Sequence, residues 1–142
     1  MEKDKEFKYF VLPGITGDTK VVTAFPTLPS SEAINDAYLK AKAWSEMNPG
    51  KHAWLMVDDL SVQPIDKLPG LEERAEIIGH PEIGTASFNQ FPNHVCILDD
   101  MAQLRDTLVV NWTASRAYVA GGGSPGYLVG GNILLVSRHN DA

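Results

Sequence analysis

Residues Ser30–Val57 read SSEAINDAYLKAKAWSEMNPGKHAWLMV. Ser30-Ser31 offer a hydroxyl that accepts an orphan N–H of a first helical turn. From Ile34 the apolar and small residues recur at Ala37, Tyr38, Ala41, Trp44 and Ser45, which is one face of a helix. Asn48-Pro49-Gly50 stops it. Ala53–Val57 (AWLMV) then has the length and apolarity of a core strand and closes on Asp58-Asp59. An amphipathic helix feeding a buried strand sets the class as helices packed on a sheet.

Upstream, Phe7–Leu12 (FKYFVL) is aromatic and β-branched and ends at Pro13-Gly14, so it reads as a strand. Gly17-Asp18 turns the chain into Thr19–Phe25 (TKVVTAF), giving a hairpin with a longer loop. Pro26 and Pro29 end that strand. Downstream, Pro64 and Pro69-Gly70 mark a loop, and Leu71–Ile78 makes a short helix. Residues 79–92 are rich in Gly, Pro, Ser and Asn and favour no element. Val95–Leu98 (VCIL) reads as a second buried strand, again closing on an acidic pair, Asp99-Asp100.

Asp100 and Gln103 have capping-box spacing, and Met101, Leu104, Leu108, Trp112 and Ser115 recur at helical spacing. The β-branched Thr107, Val109, Val110 and Thr113 lower that propensity, so a strand over part of Thr107–Val119 is the alternative. Gly121–Gly131 is a glycine-rich loop, and Asn132–Arg138 (NILLVSR) is a last strand. The expected architecture is one α+β domain over residues 1–142. A mixed sheet of about five strands begins with a β-hairpin, and two main helices pack on one face.

The 142 residues suit one domain and bury a core without staples. A net charge of −6 and the lack of a Lys/Arg cluster argue against a nucleic-acid polymer as partner. The single cysteine, Cys96, permits no intrachain disulfide. Met1–Lys8 mixes charges of both signs and has no apolar run, so a secretory leader is not expected. No apolar stretch approaches the ~20 residues of a membrane span. A soluble cytoplasmic protein without membrane association is the expectation.

Several catalytic signatures fail on chemistry. Gly122-Gly-Ser124-Pro125-Gly126 fits G-x-S-x-G, but a nucleophile elbow needs an N–H on the residue after the serine, and Pro125 has none. The loop precedes a strand and has no Gly-Lys-Ser/Thr, so it is no P-loop. A helix C-cap is its simplest use. His80-Pro-Glu82 has the H-x-E half of a zinc deaminase but lacks the two further thiolates. His52, His80, His94 and His139 show no metal-ligand spacing. His94 and Cys96 share a strand face about 6.5–7 Å apart, too far for a dyad. No cofactor is expected.

Two constellations remain. Every lysine lies at or before Lys67 and every arginine at or after Arg74, so the later part is where a forked anion contact belongs. Arg105, Asn111, Arg116, Tyr118, Ser124, Tyr127, Asn132 and Arg138, with Trp112, flank the glycine-rich loop and are the expected ligand contacts. They point to a non-catalytic binding protein for a small anionic, nucleotide-like ligand or a protein partner. Self-association through Phe7–Leu12 as an exposed edge is a further expectation. The first alternative is a divalent-metal enzyme acting on phosphoryl groups, with Asp58/Asp59 and Asp99/Asp100 brought together by neighbouring strands. The second is a structural assembly subunit.

Overall fold

The computed structural model describes residues 8–10, 20–102, 107–123 and 127–138, with the backbone alone at 8–10 and 20. Its elements are β1 (Lys8–Phe10), β2 (Lys20–Thr23), α1 (Ser31–Met47), β3 (His52–Leu55), β4 (Val62–Ile65), α2 (Leu71–Ile78), β5 (Ile83–Ala86), β6 (His94–Asp99), β7 (Thr107–Val109), α3 (Trp112–Ala120) and β8 (Ile133–Ser137). The α+β class expected from sequence holds. The strands form two sheets, one ordered β1-β2-β7 and one ordered β4-β3-β8-β6-β5. The hairpin thus lies outside the five-stranded sheet, which is antiparallel throughout. In the small sheet β2 and β7 run parallel.

Strand alternation sorts the large sheet into two faces. Leu55, Cys96, Ile133 and Leu135 point to one, where Tyr38 and Ala41 of α1 meet Ala114 and Ala117 of α3. Trp54, Ile97 and Leu134 point to the other, against Ile78 of α2. The two main helices therefore share a face, and the short α2 covers the opposite one. Ser30 caps α1 by accepting from Ala33 N at 3.0 Å. No helix among the described residues is long and apolar enough to cross a membrane.

Three stretches depart from the sequence pattern. Val62–Ile65 is a strand despite Pro64, because Met56 N donates to Ser61 O and that register turns Val62 and Pro64 to the open side. Proline is tolerated where its missing N–H has no ladder partner. Ile83–Ala86 is also a strand, inside the stretch that favoured no element. The helical spacing through Leu108 is overturned: Thr107–Val109 pairs with β2, and the helix starts only at Trp112. The alternative strand over part of 107–119 is the one formed. Gln103 and Leu104, as well as Leu12 to Asp18, lie outside the described residues.

Candidate functional site

The junction between the sheets is built by Asn111, which is wholly buried. Its Oδ1 caps α3 by accepting from Ala114 N at 3.0 Å. Its Nδ2 donates to Leu55 O at 3.2 Å and Gly131 O at 3.0 Å. Its own N–H donates to Val129 O at 2.8 Å. One amide therefore joins β3, α3 and the chain entering β8. Asn132 works alike: its Oδ1 accepts from Val57 N at 2.9 Å and its Nδ2 donates to Ile77 O at 2.9 Å. Both residues are expected from sequence as ligand contacts; in the structure their side-chain amides clamp the backbone.

From the Asn111 cap, α3 runs through an alanine-rich segment that favours helix. Ala114 and Ala117 face the core, and Trp112, Ser115, Arg116 and Val119 fall at i, i+3, i+4 and i+7 on another side. That side walls a cleft of about 290 Å³, completed by Ser31 and Ile34 of α1 and by Tyr127 and Leu128. The Arg116 guanidinium sits 5.3 Å from the centroid of the Tyr38 ring. No carboxylate among the described residues pairs with it. The buried indole Nε1 of Trp112 has no acceptor among the described residues. Tyr127 is 40% exposed, and burial with the neighbouring Tyr118 holds its hydroxyl above the usual tyrosine range.

The glycine-rich loop begins as a Schellman cap. Gly122 N donates to Val119 O and Gly123 N to Tyr118 O, while Gly122 takes φ of +102°. A Cβ at Gly123 would stand 2.2 Å from the Tyr118 ring, so a side chain there is excluded. Tyr118 packs edge-on to Phe88 at 6.0 Å and tilted on Tyr127 at 4.7 Å. Its ring lies beside a second cleft of about 240 Å³, bordered by Thr85, Ala86, Leu98, Asp100, Tyr127 and Val129.

The expected ligand residues thus divide. Arg116 and Tyr127 meet in the first cleft, and Tyr118 supports it from behind. Arg138 does not line that cleft: it is exposed at the end of β8, and its guanidinium donates to Ser87 Oγ at 2.9 Å. Arg105 and Ser124 lie outside the described residues. Ser31 and Ile34, expected from sequence as helix cap and helix face, are not among the expected ligand contacts. The only available signal for them was the helical face on which Ile34 falls.

The aspartate pairs leave the sheet at the same end, because β3 and β6 both run antiparallel to β8. They are not on neighbouring strands, however; β8 intervenes, setting β3 and β6 about 9–10 Å apart. Asp59 accepts from Ser61 N at 3.0 Å, and Asp99 from Met101 N at 3.0 Å, as turn-forming carboxylates do. The His80 Nε2 stands 3.8 Å from Asp99 Oδ2. Among the described residues no three His, Cys, Asp or Glu side chains gather as metal ligands.

His94 is buried between α1 and the turn that follows it. Its Nε2 can only donate to Lys51 O, at 2.7 Å, so in the neutral ring its Nδ1 accepts from Ser45 Oγ at 2.7 Å. His52 Nδ1 accepts from Ser137 N at 3.0 Å, and burial holds this histidine below its ordinary pKa. His139 lies outside the described residues. Burial pushes the Cys96 thiol up to about 12, which keeps it protonated and unreactive.

No known protein family, curated protein or solved structure matches this chain.

Proposed function

We propose that this protein is a non-catalytic binding protein for a small anionic ligand, nucleotide-like in joining a flat ring to a phosphate. The observation that carries the reading is Arg116, without a carboxylate partner among the described residues, beside a cleft walled by Trp112, Val119, Tyr127 and Leu128. Apolar walls with few convergent polar groups suit such a ligand, and about 290 Å³ is near the lower end of ligand pockets. A ring lies against Trp112 and Tyr127, and a forked guanidinium receives the anion.

Thermal shift with adenosine monophosphate, adenosine and inorganic phosphate tests it. A ligand at a hundredfold excess over its Kd adds about 2.7 kcal/mol, several degrees of melting temperature. The monophosphate is expected to raise the wild-type Tm more than either part alone, and Arg116→Ala to remove most of that rise. No shift with any of the three, or an undiminished shift in Arg116→Ala, overturns the reading.

A further inference from the structure

The five-stranded sheet has two unlike edges. On β4 the outward positions are Val62 and Pro64, and Pro64 has no N–H to offer. On β5, Asp100 N donates to Glu82 O at 2.9 Å, which makes Gly84–Leu98 and Ala86–Cys96 the hydrogen-bonded pairs. Thr85 therefore turns both its N–H and its C=O outward, as Ile83 does its carbonyl. Among the described residues nothing pairs with that edge. It carries neither the proline nor the lysine with which native edges are blunted.

The same strand opens a trough on the face shared with α1 and α3. Its side chains there are only Gly84 and Ala86, and the far wall is made by the Tyr118 and Tyr127 rings. Asp100 lies across the glycine, with Oδ1 standing 2.7 Å from where a Gly84 Cβ would be. This carboxylate is exposed, and no Lys, Arg or His among the described residues pairs with it.

From these features we infer that β5 is a docking edge for an extended basic peptide segment of another protein. The segment adds as a strand beside β5, exchanging backbone hydrogen bonds with Thr85. Every second side chain of an added strand projects over Gly84 and Ala86. A lysine or arginine there reaches the Asp100 carboxylate in the trough that the Tyr118 and Tyr127 rings line, a setting favourable to a cation.

Fluorescence anisotropy with a fluorescein-labelled Thr-Val-Lys-Val-Thr peptide, and its counterpart with Glu replacing Lys, tests this. The Lys peptide is expected to bind better. Thr85→Pro imitates the natural Pro64 edge and leaves the β5–β6 ladder intact, so binding falls about tenfold through loss of the outward N–H. Asp100→Asn weakens the Lys peptide roughly three- to fivefold and erases the preference over Glu. Should Thr85→Pro not fold, Asp100→Lys decides: its preference must reverse towards the Glu peptide. Wild-type affinity in either Thr85→Pro or Asp100→Asn, an unreversed preference in Asp100→Lys, or no binding of either peptide at millimolar concentration overturns the inference. So does a wild-type dimer by light scattering that Thr85→Pro returns to monomer, since the occupant is then a second copy.

Discussion

Asn111 and Arg116 stand five residues apart, at the cap and in the second turn of one helix, and their polar groups have opposite fates. Both Nδ2 hydrogens and the Oδ1 of Asn111 are used within the fold, while the guanidinium of Arg116 lies over the face of Tyr38 and pairs with no carboxylate among the described residues. His94 and Asn132 belong with Asn111, each fastening segments distant in sequence. The difference teaches a sorting rule for this molecule. A polar side chain consumed by backbone partners holds the fold, and one left with spare donors beside a cleft is available to a ligand.

The largest effect expected from breaking that contrast is at Asn111. Asn111→Ala removes a helix cap and two carbonyl contacts, costing roughly 3 kcal/mol in urea unfolding. Asn111→Asp sharpens the point. Aspartate caps as well as asparagine, but it would aim a carboxylate at Leu55 O and Gly131 O, so it should cost at least as much. A mild Asn111→Asp would mean that the cap matters and the clamp does not.

His94→Phe keeps the ring beside Trp44, 5.0 Å away, but loses both hydrogen bonds. It should lower unfolding free energy by about 2 kcal/mol. His52 gives a smaller, pH-dependent effect. Its folded pKa lies below the ordinary 6.5 because burial disfavours the cation, so the unfolded chain binds the proton more readily. The resulting stability is present above pH 6.5 and is lost as pH falls from there towards the folded value. The gap in Tm between wild type and His52→Gln should therefore narrow on acidification, and a gap that widens would reverse the assigned sign. Arg116→Ala should change stability least, by under about 1 kcal/mol for a partly exposed cation–π contact, while removing the ligand-induced shift.

Much of the fold was legible because local pattern and tertiary burial agree. Ile34, Ala37, Tyr38 and Ala41 predict α1, and Leu71–Ile78 is the α2 observed. β4 was hidden by Pro64, whose compatibility with a strand depends on being at an edge, and edge position is a property of the assembled sheet. β5 was hidden by Gly84 and Ala86, too small to show alternation. Leu108 sits at helical spacing by sequence but is claimed by pairing with Val21, far along the chain. Among site residues, Trp112 and Arg116 share a helical face that sequence displays. Asparagine looks the same in sequence whether it serves a ligand or the backbone. Only the arrival of Leu55 O and Gly131 O, or of Val57 N and Ile77 O, tells the two apart.

The place of β8 bears on how the chain is made. It is the last described strand in sequence yet the middle one of five, wedged between β3 and β6. During synthesis the β3-β4 and β5-β6 hairpins emerge first and must wait, with the inner sides of β3 and β6 bare, for residues 133–137 to zip them together. Such late, long-range closure is slow and leaves the nascent chain open to wrong pairings. Trouble in making this fold is thus concentrated in the interval before β8 arrives.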